Sequence, residues 1–236
     1  MEKTMKKALS LVMVFLVAVA FSATGYSADK YISGNIGISW LNDYESSESR
    51  DGSFMPNTGL FEFGSGLTLA AAFGCDYGDY RAEAEIGYQS GDVDTFAFGT
   101  GEMDPFAMDM TGDISILSIM GNGYYDIALG SDVELFLMAG AGFAQVNFDD
   151  VALEEEMQGP NLALNVTEVA FAYQIGAGLA LPVSDGIMLE AKYRYFATTD
   201  FTVSDDFDLP LNGIEDTEWV GNIESHSAML GMRVML

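Results

Sequence analysis

The chain has 236 residues and is strongly acidic: 36 Asp and Glu against 9 Lys and Arg give a formal net charge of −27 at pH 7. That balance excludes a nucleic-acid partner. A single cysteine, Cys75, excludes an internal disulfide framework, and 49% hydrophobic residues with 26 glycines but only 5 prolines argue for an ordered chain.

Residues 1–7, "MEKTMKK", carry three lysines and precede the apolar stretch "ALSLVMVFLVAVAF" from Ala8 to Phe21. About fourteen residues are too few to cross a roughly 30 Å hydrocarbon core, and small residues follow, so this segment reads as a secretory signal peptide. Cleavage is expected after Gly25, Ser27 or Ala28, leaving 29–236 as the exported domain. No later stretch approaches eighteen apolar residues, which excludes a helical membrane protein.

The exported part alternates with period two in eight segments. "YISGNIGISW" sets Ile32, Ile36, Ile38 and Trp40 against Tyr31, Ser33, Asn35 and Ser39. "LFEFGSGLTLAAAF" is expected to run unbroken, with Phe61, Phe63, Leu67, Leu69, Ala71 and Phe73 on one face. A tight turn at "GCDYGD" holds Cys75, where it is free or able to link two copies. "YRAEAEIGYQ" then has a wholly apolar face of Tyr80, Ala82, Ala84, Ile86 and Tyr88, and an opposite face with Arg81, Glu83 and Glu85. "ISILSIMGNGYYD" alternates less cleanly, with Leu117, Ile119 and Tyr125 outside and Ser118, Asn122 and Tyr124 inside. "VELFLMAGAGFAQV", "VAFAYQIGAGLAL", "IMLEAKYRYF" and "SHSAMLGMRVML" complete the set, and their polar faces carry Glu134, Gln174, Glu190, Lys192, Arg194 and Arg233.

Connections are long after the first, third, fifth and seventh segments and short after the others. An even number of roughly ten-residue strands with alternately short and long connections predicts an all-β, eight-stranded antiparallel up-and-down transmembrane barrel of the bacterial outer membrane. The apolar faces then meet lipid, where a charge near the midplane would cost about 2 to 4 kcal/mol. The charged faces meet the lumen.

On those faces Arg81, Lys192, Arg194 and Arg233 oppose Glu83, Glu85, Glu134 and Glu190, with Glu62 near the outer end. Buried ions need partners, so a salt-bridge network is expected to fill the lumen, which in a barrel of eight strands is just wide enough for side chains. A soluble β-sandwich, the alternative fold, would leave the same charges in water.

Taken together, "GNIGISW", "YRAEAEIGYQ", "IMGNGYYD", "FLMAGAGFAQV", "FAYQIGAGLAL", "LEAKYRYF" and the terminal "GMRVML" resemble the small outer-membrane barrels grouped as opacity-type porins and surface antigens, with the architecture of the OmpA membrane domain. The likeness spans all eight segments and little of the connections; the chain ends in Leu236 where that group typically ends in Phe. It implies a protein of the cell outer membrane of a Gram-negative bacterium, with a structural or surface-interaction role in envelope integrity, adhesion or antigenicity.

The expected partners are outer-membrane lipid, including lipopolysaccharide, and an extracellular or host ligand met through the loops. A narrow channel for small solutes is the alternative function. No catalytic residue is expected, because Ser225 and Ser227 fall on the opposite strand face from His226, the only histidine. No cofactor or metal site is expected either: "LEEEM" and "SDDFD" lack the 12-residue spacing of an EF-hand and read as solvated loop acidity.

Overall fold

The computed structural model describes residues 28–42, 44–50, 53–98, 106–130, 133–153, 164–204 and 218–236. The expected signal peptide therefore lies outside the described residues, as do most of "LEEEM" and "SDDFD". The strands in chain order are β1 (Asp29–Leu41), β2 (Tyr44–Arg50), β3 (Ser53–Phe63), β4 (Ser65–Asp76), β5 (Tyr80–Phe98) and β6 (Phe106–Ala128). They continue with β7 (Glu134–Leu153), β8 (Leu164–Ser184), β9 (Ile187–Thr198), β10 (Phe201–Ser204), β11 (Glu218–Gly221) and β12 (Glu224–Met235).

Eight of these close a ring. β1 pairs antiparallel with β4 and with β12, and the ladder runs β4–β5–β6–β7–β8–β9–β12 without a gap. Closure removes every sheet edge within the ring, which is what a β-structure in lipid requires of its backbone. At one end the strands join through short turns with positive-φ glycines, Gly78 at 97°, Gly130 at 132° and Gly186 at 71°. The start of β1 and the residue after β12 meet there, since Leu236 N–H donates to the Lys30 carbonyl at 2.8 Å. By the outer-membrane pattern this end is periplasmic.

The opposite end departs from the sequence reading. The connections expected as loops continue as strand: β6 has 23 residues and β8 has 21, whereas about ten suffice for a tilted transmembrane strand. β2 pairs with β3 and with β11, β11 with β10, and β3 with the upper part of β5, which builds a sheet beyond the ring. Above the membrane no lipid imposes alternation, so the backbone ladder persists while its hydropathy signature vanishes.

The segment "LFEFGSGLTLAAAF" is likewise two strands rather than one, split at Gly64. β3 leaves to join the outer sheet, and Gly64 N–H donates to the Asp92 carbonyl at 3.0 Å. Phe63, expected to face lipid, packs instead against the buried cluster inside the barrel. Gly66 permits the crossover, because a Cβ there would collide with the Ser90 carbonyl.

Within the ring the observed faces follow the alternation. The outward rows are apolar, with Ile36, Ile86, Ile175 and Leu230 more than half exposed. These rows end at the outer side in polar residues: Ser90 and Asp92 on β5, Ser115 and Asp113 on β6, Asn147 and Asp149 on β7, and Glu224 on β12. The result is a band about five outward residues tall on each strand, consistent with the roughly 25 Å apolar belt of outer-membrane barrels. Placing Arg at Leu230, in mid-band, is expected to destabilise the folded barrel in bilayers by about 2 to 4 kcal/mol. Arg at Asp92, beyond the band, should change stability by less than about 0.5 kcal/mol. Urea titrations in liposomes would measure both, and equal effects would contradict the belt.

Candidate functional site

Within the ring, the polar strand faces expected inside the barrel point into the lumen among the described residues. Climbing β5 from the periplasmic end, the buried inward residues are Arg81, Glu83, Glu85, Gly87 and Gln89; climbing β9 they are Glu190, Lys192, Arg194 and Phe196. The strand period of two places these groups, and the ring brings β5 and β9 face to face across a narrow interior.

Arg81 occupies the lower layer. Its Nε and Nη2 donate to the two oxygens of Asp126 at 2.6 and 2.8 Å, a bidentate pair, and its Nη1 lies 3.6 Å from Glu190 and 3.9 Å from Glu83. The guanidinium packs over the Tyr124 ring at 4.3 Å, with Phe136 at 5.4 Å and Tyr31 at 5.8 Å, so cation–π attraction adds to the ion pairs. Glu83 in turn accepts from the Tyr124 hydroxyl at 2.7 Å.

Arg233 lies near the periplasmic mouth. It reaches Glu190 at 3.1 Å, Glu134 at 3.0 Å and Asp76 at 3.9 Å.

Glu85 forms the next layer. It lies 3.8 Å from Lys192 and 3.5 Å from Arg194, and it accepts from Asn122 at 3.1 Å and Gln174 at 3.2 Å. Arg194 Nη2 also donates to Thr68 Oγ1 at 2.9 Å. The eight residues singled out from the sequence thus fall into two connected sets, Arg81, Glu83, Glu134, Glu190 and Arg233 below and Glu85, Lys192 and Arg194 above. Glu62, the ninth lumen charge considered, has its side chain outside the described residues.

Two carboxylates were missed. Asp126 shares the parity of Ser118, Asn122 and Tyr124 and could have been assigned inward on that ground; its place at the strand end hid it. Asp76 was assigned to a turn, but β4 extends through it. The same extension places Cys75, expected in the turn, within β4 opposite Lys30 of β1, where it is free and buried. With these additions the four deep carboxylates, Glu83, Glu85, Asp126 and Glu190, balance the four cations. The side chains of Asp76 and Glu134 retain 23% and 39% exposure at the mouth.

Above the ions one side of the lumen becomes apolar, while Ser39, Gln89, Thr198 and Ser225 lie buried beside it. Leu41, Ile114, Ile116, Met120, Ala144, Val146, Ala170, Ala172, Phe196, Phe201 and Ile223 form one buried cluster, with Phe63 and Phe148 packed against it. This layer explains the weak alternation of "ISILSIM": Ile114 and Ile116 point inward while Leu117 and Ile119 point to lipid, so both faces are apolar.

Large interior side chains lie over inward-facing glycines. Tyr31 covers Gly74, Phe136 covers Gly178, and Asn122 covers Gly140; a Cβ at any of these glycines would strike the covering side chain. The recurrent Gly-Ala-Gly segments are therefore the counterpart of the bulky plug.

At the outer rim, His226 points outward and accepts no help from its neighbours in sequence. Ser225 and Ser227 are fully buried in the lumen, and Ser225 donates to Gln89 at 2.8 Å. His226 Nδ1 instead lies 2.6 Å from the Tyr193 hydroxyl. The Ser–His arrangement needed for nucleophilic attack is not formed by "SHS".

A closed eight-stranded ring with a lipid belt and a polar, filled lumen is one architecture shared by many chains, so comparison with known proteins decides the family. The outer membrane protein beta-barrel domain family matches residues 10–220. The chain belongs to that family.

Its place is therefore the outer membrane of a Gram-negative bacterium. A curated relative, outer membrane protein PagN of Salmonella typhimurium strain LT2, is 28% identical over 211 residues, covering 82% of this chain and 84% of PagN. Among solved structures, OprG from Pseudomonas aeruginosa has a TM-score of 0.60 at 14% identity, covering 89% of this chain and 98% of OprG. Neisserial surface protein A has a TM-score of 0.50 at 15% identity, covering 88% of this chain and 97% of that one. These two structures establish likeness of fold.

Proposed function

We propose that this outer-membrane barrel is a closed, non-catalytic scaffold that holds an outer β-sheet at the cell surface for contact with an extracellular or host ligand. The observation that carries the reading is the double closure of the lumen, by the ion network below and the apolar layer above. Solute passage would require both to be displaced. The ion network then serves to fill and fix the barrel interior, residues 1–28 serve as the export signal, and the surrounding lipid includes lipopolysaccharide.

What projects outward is substantial and acidic. The outer sheet of β2, β3, β10 and β11 and the tops of β5 to β8 rise beyond the belt, and Asp92, Asp113 and Asp149 lie opposite one another on adjacent strands. The lumen being nearly neutral at depth, the surplus of a chain with net charge −27 lies elsewhere, and its fields favour a ligand with a basic face.

The test is adhesion of bacteria displaying the protein to a panel of matrix proteins and epithelial cells. In one variant residues 43–63 and 199–222 are replaced by short turns. Binding above the empty-vector level is expected for the full chain, weakened by added salt, and lost in the trimmed barrel at equal surface amount. Equal binding by both would overturn the reading.

A further inference from the structure

We infer that the outer rim of the barrel wall over β9, β12 and β1 is a binding site for the sugar headgroup of an outer-leaflet glycolipid. The inference rests on the proposed orientation, with the end opposite the chain termini outward, and it names a lipid partner for a patch that the lumen and the outer sheet leave unused.

Strand register assembles the patch. Trp40 lies opposite His226, and His226 opposite Tyr195, so these three form one outward row; Tyr193 lies one step below it on β9. Glu224 tops β12 and accepts from Asn42 and Asn222, each at 3.2 Å. His226 is flanked by the Tyr193 ring, with centroids 5.8 Å apart and 28° between planes, and by the Tyr195 ring at 5.2 Å. Trp40 and Tyr193 remain 45% and 53% exposed.

Beyond Asn42, Asn222 and Tyr193, acyl chains would offer Glu224 and His226 no partner, so this composition is poorly matched to acyl chains alone. It suits a sugar. Aromatic faces pack against the C–H face of a pyranose, and a carboxylate accepts from hydroxyl or amide N–H groups.

The imidazole adds direction. The Tyr193 hydroxyl and Nδ1 share a hydrogen bond; in the tautomer in which the hydroxyl donates, the ring proton sits on Nε2, which has no protein partner among the described residues and can donate to a sugar oxygen. Glu224 sets the polarity of the site: its charge disfavours a phosphate beside it, so recognition falls on the neutral part of the headgroup. The height agrees, because Glu224 and His226 end the apolar row of Ala228, Leu230 and Met232, where headgroups begin.

The experiment is native mass spectrometry of the refolded full barrel in detergent, titrated with monophosphoryl lipid A and, separately, with phosphatidylethanolamine. Retention of one lipid A per barrel, at least tenfold preferred over phosphatidylethanolamine, is expected. His226→Phe keeps a ring against Tyr193 but removes the donor, and is expected to weaken lipid A retention roughly tenfold, the worth of one hydrogen bond near the upper end of its usual range. His226→Gln, which restores an N–H at nearly the same place, is expected to recover most of it.

Heat-dependent gel mobility and protease cleavage of outer strands on intact cells report folding and orientation independently. If both are normal and the two lipids are retained equally, or His226→Phe changes nothing, the glycolipid site is wrong while the scaffold reading stands. Cleavage from the periplasmic side only would overturn the orientation and the site with it.

Discussion

Replacing Glu85 by Ala is expected to be among the most damaging single changes, lowering the stability of the folded barrel by about 3 to 5 kcal/mol. Glu85 is 1% exposed and is the only carboxylate within ion-pair distance of Lys192 and of Arg194 among the described residues. Its removal strands two buried cations and frees the amides of Asn122 and Gln174 from their acceptor. Breaking a buried pair is costly because the remaining charge has lost the solvation that water once gave it. Glu85→Gln, which keeps hydrogen-bonding capacity without charge, should fall between wild type and Ala. Urea unfolding of the refolded protein, followed by heat-dependent gel mobility, would check the order, and a loss below about 1 kcal/mol for Glu85→Ala, the scale of an ordinary surface change, would remove Glu85 from the centre of the plug.

Arg81→Met is expected to cost a similar 3 to 5 kcal/mol or so, for the mirror-image reason. One guanidinium neutralises Asp126 by a bidentate contact and approaches Glu83 and Glu190, which in its absence repel one another inside a narrow wall. Here the double variant is informative. Adding Asp126→Asn to Arg81→Met removes the most tightly bound of the stranded carboxylates, so the pair should be less destabilised than the sum of the single changes. The difference measures their coupling, with values of about 0.5 to 3 kcal/mol typical of contacting groups. Strict additivity would show that the two residues stabilise the barrel independently.

The sign of both effects fixes how the lumen is to be understood. Its ions are not evidence of large net stability, since a well-packed apolar substitute can be equal or better. They solve a different problem: strands whose outer faces must be apolar need inner faces that differ, so that each strand has one way round in the wall. Glycines opposite Tyr31, Phe136 and Asn122 then make room for interior groups that would otherwise collide with the wall.

Much of this was legible in the residues. The faces of "YRAEAEIGYQ" and "IMLEAKYRYF" separate completely, because lipid on one side and a crowded polar lumen on the other leave no tolerance for mixing. Legibility fails where one of those two conditions lapses. In "ISILSIM" the lumen itself is apolar, so Ile114 and Ile116 gave no contrast with Leu117 and Ile119. Beyond the belt there is no lipid, and β2, β10, β11 and β3 up to Gly59 read as loops in the sequence. Phe63 was assigned to lipid because the break at Gly64 depends on a tertiary contact with β5, not on local propensity. Asp126 was hidden by its position next to a turn, although its parity matched its inward neighbours. His226 was visible as a single outward histidine, but its Tyr193 partner lies on another strand, and only the register brings them together.

The central claim is that the barrel is closed, with its work done at the outer surface. Single-channel recording of the refolded protein in a planar bilayer tests it most directly, once heat-dependent mobility has shown the barrel to be folded. The account predicts silence at ordinary voltages for the wild type. Discrete, reproducible conductance steps that change when Arg81 or Glu134 is neutralised would contradict it, because they would place the ion path through the residues that here fill the lumen.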